Sequence, residues 1–89
     1  MIERSFSIVN EKGLHARASA KFVECVEAHD ASAEVSKDGM TVSGDSIMGL
    51  LMLAASRGTS IDVRTTGAEA EKLAEALGAL IANRFGEDY

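Results

Sequence analysis

The sequence predicts an α+β fold, an open-faced β-sandwich in which a four-stranded antiparallel sheet carries three helices on one face. In some segments apolar residues alternate with polar ones, as in a strand with one buried face, and in others they recur every three or four residues, as in an amphipathic helix. The segments follow the order β-α-β-β-α-β-α, which suits an antiparallel sheet with its helices gathered on one side. Polar residues on the other face of the strands predict that this face is solvated.

The first strand and the first helix flank a short loop. Alternation over residues 2–8 predicts a strand that ends near Asn10. Gly13 interrupts the pattern, and helical spacing of apolar residues then extends over residues 16–28. The first turn of this helix is therefore expected directly after His15.

A hairpin follows the first helix. Residues 33–35 and 40–42 alternate in polarity on either side of Asp38-Gly39, a dipeptide that supplies the positive φ angles of a tight turn. We therefore expect two short antiparallel strands.

The second half of the chain predicts two helices around a fourth strand. The Ser46 hydroxyl is a suitable N-cap for a short helix through Leu53. Residues 61–64 alternate as a strand, after which Thr66 and Glu69 have the spacing of a capping box. The last helix carries a buried stripe of Leu73, Leu77, Leu80 and Ile81.

Length and composition limit the possible functions. The 89 residues predict a single domain, residues 1–89, too small for a deep, enclosed pocket. Nine Lys and Arg against fourteen Asp and Glu give a net charge of −5, which disfavours nucleic-acid binding. No apolar run is long enough for membrane insertion, and a single cysteine indicates no need for an oxidising compartment. We expect a cytoplasmic monomer without a cofactor.

His15 is the residue that suggests chemistry. It lies at a predicted helix N-terminus, where unpaired backbone N–H groups and a partial positive charge favour anions. A phosphoryl group on its Nδ1 would bring oxygens to the amides of Ala16 and Arg17, and the Arg17 guanidinium would reach the same group. The residues alone leave open that His15 is an ordinary surface histidine.

The motif Gly13-Leu14-His15-Ala16-Arg17, with the segment Ser-Ile-Met-Gly-Leu-Leu-Met-Leu over residues 46–53, resembles the HPr family. HPr and the related NPr are histidine-containing phosphocarriers of the phosphoenolpyruvate-dependent phosphotransferase system. The resemblance covers essentially the whole chain. It implies that His15 takes a phosphoryl group on Nδ1 from enzyme I and passes it to an enzyme IIA, in sugar transport or in the nitrogen-related regulatory branch.

Ala18 departs from the family, which usually has proline after His-Ala-Arg. Proline in a first helical turn fixes φ and has no amide to leave unpaired. We therefore expect a somewhat less rigid loop in which function survives. The segments over residues 50–54 and 85–88 are more similar to NPr, which favours a regulatory role.

The resemblance also implies a regulatory site at Ser46, with HPr kinase/phosphorylase as a further partner. The alternative is a binding module that Ser46 phosphorylation controls, with no phosphate passing through His15. Apolar residues in excess of one buried helix face predict a partner-docking patch, together with a basic rim that includes Lys21. The apolar members are Ile47, Met48, Leu51 and Met52.

Cys25 and His29 are four residues apart on the first helix, a spacing that two metal ligands on one helix face would have. No further cysteine or histidine is available to complete a site, because His15 is the only other residue of either type. No metal site is expected.

Overall fold

The structure, a computed structural model, describes all 89 residues. Its strands are Ile2–Ser7 (β1), Ser32–Lys37 (β2), Met40–Ser43 (β3) and Ser60–Thr66 (β4), and its helices are Ala16–Glu27 (α1), Ile47–Met52 (α2) and Ala70–Ala82 (α3). A 3-10 turn, Arg84–Gly86, follows α3. The predicted order of strands and helices is confirmed, and the fold is an open-faced α+β sandwich.

The four strands form one antiparallel sheet in the order β1-β4-β2-β3. β4 lies inside the sheet because it pairs with β1 on one edge and with β2 on the other. In the pairing with β1, Ile2 lies opposite Thr65 at one end and Ser7 lies opposite Ser60 at the other. β2 and β3 form the predicted hairpin, whose turn residues Asp38 and Gly39 have φ angles of 51° and 84°. Positive φ at both positions matches the twist of a two-residue hairpin turn.

The core lies between the sheet and the helices. Phe22 of α1 and Leu73 and Leu77 of α3 are completely buried, and they pack in one cluster with Val35 and Ile61 of the sheet. Each such side chain contributes about 1.5–3 kcal/mol relative to an exposed position. Burial of these periodic residues fixes which face each helix turns to the sheet.

The opposite face of the sheet is polar, as predicted. Arg64 lies in its centre, with Nε 3.4 Å from a Glu3 carboxylate oxygen and Nη1 3.8 Å from one of Glu34. Exposed ion pairs of this kind contribute little to stability. A concavity of about 440 Å³ opens here, but neither a histidine nor a cysteine lines it. The candidate chemistry lies elsewhere.

Two local predictions are wrong. β1 ends at Ser7, because its partner strand β4 begins at Ser60, although Ile8 still donates to the carbonyl of Thr59 at 2.8 Å. Thr66 and Glu69 form no capping box: Thr66 belongs to β4 and Glu69 is itself the N-cap of α3, without a side-chain cap bond. The Glu69 carboxylate instead accepts from the backbone N–H of Asp30 at 2.7 Å.

The loop between β1 and α1 packs closely against the segment before β4. The backbone N–H of Leu14 donates to the carbonyl of Ala55 at 2.8 Å. Gly13 has a φ of 65°, and a Cβ there would lie 2.4 Å from the same carbonyl oxygen and 2.9 Å from the Cα of Ser56. Only glycine satisfies both the backbone angle and the contact.

We predict that Gly13→Ala lowers the free energy of unfolding by about 2–4 kcal/mol, because it adds a backbone clash to the cost of positive φ. Gly39→Ala is the matched control, since Gly39 also has a positive φ but no atom within 4 Å of an added Cβ. It should cost about 1 kcal/mol. Urea denaturation measures both, and equal losses would show that the packing of Gly13 contributes nothing.

Candidate functional site

His15 is the N-cap of α1, as predicted. Its backbone is extended (φ −77°, ψ −177°), and its carbonyl accepts the first helical hydrogen bond, from the N–H of Ser19 at 2.8 Å. The N–H groups of Ala16, Arg17 and Ala18 have no acceptor within the protein. Three backbone donors are therefore free beside the histidine, where an anion would meet them.

The two nitrogens of the His15 imidazole differ in their surroundings. Nε2 is hydrogen-bonded to a carboxylate oxygen of Glu87, near the C-terminus, whereas Nδ1 has no hydrogen-bond partner. The side chain of His15 is 27% exposed and that of Glu87 is 14% exposed. Nδ1 is therefore the ring nitrogen that no hydrogen bond occupies. No local sequence pattern marks Glu87 as a functional residue.

Asn10 holds the Glu87 carboxylate in place. The completely buried Asn10 side chain donates through Nδ2 to Oε1 of Glu87 at 2.9 Å and to the carbonyl of Gly13 at 2.8 Å. Both oxygens of Glu87 are thus used, one by Asn10 and the other by His15. The amide connects the loop that carries His15 to the C-terminal end of the chain.

The turn after α3 brings Glu87 to the site. Arg84, Phe85 and Gly86 have φ angles of 55°, 55° and 80°, so these three residues form a tight left-handed turn. A positive φ costs a residue with a Cβ roughly 1–2 kcal/mol, but the Phe85 ring is completely buried, and its burial offsets this cost. The Lys21 ammonium donates to the carbonyl of Phe85 at 2.6 Å and ties the turn to α1.

The surroundings of Glu87 favour its ionised form. The hydrogen bond from Asn10 is the main cause, and the hydrogen bond and charge of His15 and the charge of Lys12 add to it. Together they outweigh desolvation and hold the pKa of Glu87 below its usual range. Glu87 is therefore a carboxylate at neutral pH, with acceptors only.

The cationic side chains around His15 line a groove. Lys12, Arg17 and Lys21 border a cavity of about 240 Å³ together with the last residues of the chain. Arg17 is exposed and makes no hydrogen bond or ion pair, so it is free to turn towards an anion. Lys21, expected at a docking surface, is half-buried and bonded to the carbonyl of Phe85. The carboxylate of Glu87 also reduces the local positive charge that the sequence indicates.

Ser46 and the predicted docking patch lie on α2. The Ser46 hydroxyl oxygen accepts from the backbone N–H of Gly49 at 3.0 Å, which is the predicted N-cap. Of the four apolar residues, Ile47 is 40% exposed, Met48 71% and Met52 64%, and Leu51 is half-buried. Only Leu50 of α2 is fully buried, so most of the apolar surface of this helix is open to a partner.

Cys25 lies on α1, but His29, predicted on the same helix, lies two residues beyond its end. Nδ1 of His29 is hydrogen-bonded to the backbone carbonyl of Cys25 at 2.8 Å. Burial raises the pKa of the Cys25 thiol, which disfavours the thiolate that a metal would bind. No three His, Cys, Asp or Glu side chains are grouped closely enough to hold a metal ion.

We predict that Glu87→Ala destabilises the protein at pH 7 and that this difference shrinks in acid. The Glu87 pKa is lower in the folded chain than the value of about 4.3 of an unfolded glutamate, so its ionisation stabilises the fold above that pH. The stabilisation is lost as pH falls through the lowered folded pKa. Urea denaturation between pH 3 and 7 measures the loss.

Asp88→Asn is the control for Glu87→Ala, because the neighbouring Asp88 is exposed and makes no hydrogen bond. It should change the free energy of unfolding little at either pH. A Glu87→Ala effect that is as large at pH 3 as at pH 7 would contradict the role given to the carboxylate.

We predict that Ala18→Pro raises the free energy of unfolding by about 0.4–1 kcal/mol, because proline restricts the unfolded chain. The amide that it removes has no acceptor. The same substitution two residues further on, Ala20→Pro, should instead cost about 3 kcal/mol by breaking a helical hydrogen bond. Thermal or urea unfolding compares the two, and a loss of stability in Ala18→Pro would contradict the expectation.

The chain matches known proteins over nearly its whole length. The profile of the PTS-HPr family, described as the PTS HPr component phosphorylation site, matches residues 2–83. Phosphocarrier protein HPr of Cupriavidus necator is 44% identical over 87 residues, which cover 98% of each chain.

None of the helices has the length and hydrophobicity needed to cross a membrane.

Solved structures agree with this match. HPr-C-His from Thermoanaerobacter tengcongensis superposes with a TM-score of 0.94 and 36% identity over 100% of both chains. An HPr dimer from the same organism superposes with a TM-score of 0.77 and 37% identity over 98% of this chain and 100% of the other. The sequence and the fold agree, and the chain belongs to the HPr family of phosphocarrier proteins of the phosphotransferase system.

Proposed function

We propose that this chain carries a phosphoryl group on Nδ1 of His15, receives it from phospho-enzyme I and passes it to an enzyme IIA. The observation that carries this proposal is the difference between the two ring nitrogens. Nε2 is hydrogen-bonded to the Glu87 carboxylate, while Nδ1 has no hydrogen-bond partner. A nucleophile needs an unshared electron pair that no donor occupies, and only Nδ1 meets this requirement.

The surroundings of Nδ1 suit a phosphoryl group. The amides of Ala16 and Arg17 have no other acceptor, so oxygens of a phosphoryl group would replace water there without breaking an existing hydrogen bond. The unpaired guanidinium of Arg17 would add a charge-assisted contact. The two backbone amides are in place before the reaction, which favours stabilisation of developing negative charge.

An exposed site suits transfer between proteins. His15 lies at the surface, so the active histidine of a partner would approach it directly. The apolar residues Ile47, Met48 and Met52 would form the centre of the docking surface, with half-buried Leu51 at its edge. Flexible methionine side chains would pack against both enzyme I and an enzyme IIA. The cationic rim of Lys12 and Arg17 favours acidic partner surfaces.

The protein would act as a cytoplasmic monomer on the regulatory, nitrogen-related branch. The sequences over residues 50–54 and 85–88 favour this branch over sugar transport. Ser46 would be a second phosphorylation site, used by HPr kinase/phosphorylase. Its half-buried oxygen already interacts with the first turn of α2, so an added phosphate would lie where the helix end tolerates negative charge.

The proposed function predicts that phosphoenolpyruvate and the cognate enzyme I convert the protein to an acid-labile phosphohistidine, which ³¹P NMR detects. His15→Ala should abolish this product. His29→Ala is the matched control, because His29 is the only other histidine and lies just beyond the C-terminal end of α1. It should be phosphorylated as the wild type is.

If the His15→Ala variant were phosphorylated, or the wild type were not, the carrier role would be overturned. A binding module controlled through Ser46 would then be the better account, and phosphorylation by HPr kinase/phosphorylase that Ser46→Ala abolishes would support it.

A further inference from the structure

We propose that Glu87 is a positioning residue that determines which nitrogen of His15 receives the phosphoryl group. This inference rests on the proposed function and deepens it. The C-terminal residues would take no part in contacting the phosphoryl group. They would act on the opposite nitrogen of the ring, Nε2, and thereby reserve Nδ1 for the reaction.

The hydrogen bonds around Glu87 determine the position of the imidazole proton. A carboxylate has acceptors but no donor, so its contact with Nε2 requires that Nε2 carry the hydrogen. In a neutral imidazole the other nitrogen, Nδ1, then holds the free electron pair. A carboxylate that fixes the tautomer of a reactive or metal-binding histidine acts in the same way in other proteins.

Glutamate is suited to this role because both of its carboxylate oxygens accept. Asn10 donates to Oε1 at 2.9 Å, and Nε2 of His15 is bonded to Oε2. An amide at position 87 would have one accepting oxygen in place of two, so it would lose either the contact with Asn10 or the correct contact with His15. The proposed role therefore requires two accepting oxygens at position 87 in addition to the negative charge.

The carboxylate is held rigidly enough to orient the ring. Buried Phe85 anchors the turn after α3, Lys21 is bonded to the Phe85 carbonyl at 2.6 Å, and Asn10 fixes the carboxylate from the opposite end of the sequence. The groups that act on Glu87 are the amide of Asn10, the ring of His15 and the charge of Lys12. Each of them favours the ionised carboxylate.

The transfer balances without any movement of the Nε2 proton. The Nδ1 electron pair forms a bond to phosphorus, the bond from phosphorus to the donor nitrogen breaks, and its electron pair stays on the donor. The product ring has a phosphoryl group on Nδ1 and a hydrogen on Nε2, so it is positively charged. The Glu87 carboxylate faces that charge and stabilises it. Onward transfer reverses these steps.

Chemical phosphorylation tests the inference without enzyme I. Potassium phosphoramidate supplies a phosphoryl group from a nitrogen donor, and ammonia is released. ¹⁵N NMR of the His15 ring reports the tautomer before the reaction and the phosphorylated nitrogen after it. The proteins to compare are the wild type, Glu87→Ala, Glu87→Gln and the control Asp88→Asn, each with its fold verified from the amide spectrum.

The wild type and Asp88→Asn should react at Nδ1. In Glu87→Ala and Glu87→Gln the ratio of Nε2 to Nδ1 product should rise about tenfold or more, the change expected when a hydrogen bond to a charged group is lost. An unchanged ratio in both Glu87 variants, or reaction of the wild type at Nε2, would overturn the inference. A wild type that reacts at Nδ1 with phosphoramidate but not with phospho-enzyme I would instead overturn the proposed function alone.

Discussion

Gly13 lies closer to the carbonyl of Ala55 than any residue with a Cβ could, and this packing fixes the point at which α1 begins. The hydrogen bond from Leu14 to the same carbonyl holds the next residue, so His15 becomes the N-cap. The free amides of the first turn therefore belong to the residues that directly follow the histidine. The loop also contains Asn10, whose side chain donates to the carbonyl of Gly13 and to the Glu87 carboxylate near the C-terminus. The geometry of the site thus depends on a backbone contact that involves none of its reactive groups.

The site combines residues from the two ends of the chain. His15 and Glu87 are 72 positions apart and in direct contact. A chain of 89 residues has no room for an enclosed pocket, so a carrier of this size must orient its nucleophile at the surface. In the proposed mechanism, the hydrogen bond between Nε2 and Glu87 orients the ring, the free amides of Ala16 and Arg17 receive the phosphoryl group, and the ring remains accessible to partner proteins. The His15 imidazole can therefore be exposed to partner proteins and still be held in one orientation.

The sequence predicts the elements because their signals are local. The alternation in β4, the turn at Asp38-Gly39 and the N-cap at Ser46 all follow from neighbouring residues, and the structure has each of them. The predicted capping box does not form, because Thr66 is part of β4 and Glu69 is itself the N-cap of α3. The Glu69 carboxylate accepts instead from the amide of Asp30, in a loop that is distant in sequence.

The role of Glu87 could not be predicted either, because it also depends on contacts between residues that are distant in sequence. No periodicity marks it, and its position depends on three consecutive positive φ angles over residues 84–86, of which only Gly86 gives a sequence signal. Asn10 resembles an ordinary loop residue until its two hydrogen bonds are known. Local patterns therefore located the candidate nucleophile and the helix end beside it, whereas the groups that orient it became visible only in three dimensions.

The most direct test of the central claim, that Nδ1 of His15 carries the phosphoryl group, is NMR of ¹⁵N-labelled protein phosphorylated by phosphoenolpyruvate and enzyme I. We predict a one-bond coupling between phosphorus and Nδ1, together with downfield shifts of the amide protons of Ala16 and Arg17 as they bind phosphoryl oxygens. Coupling of phosphorus to Nε2, or to no nitrogen of His15, would contradict this account.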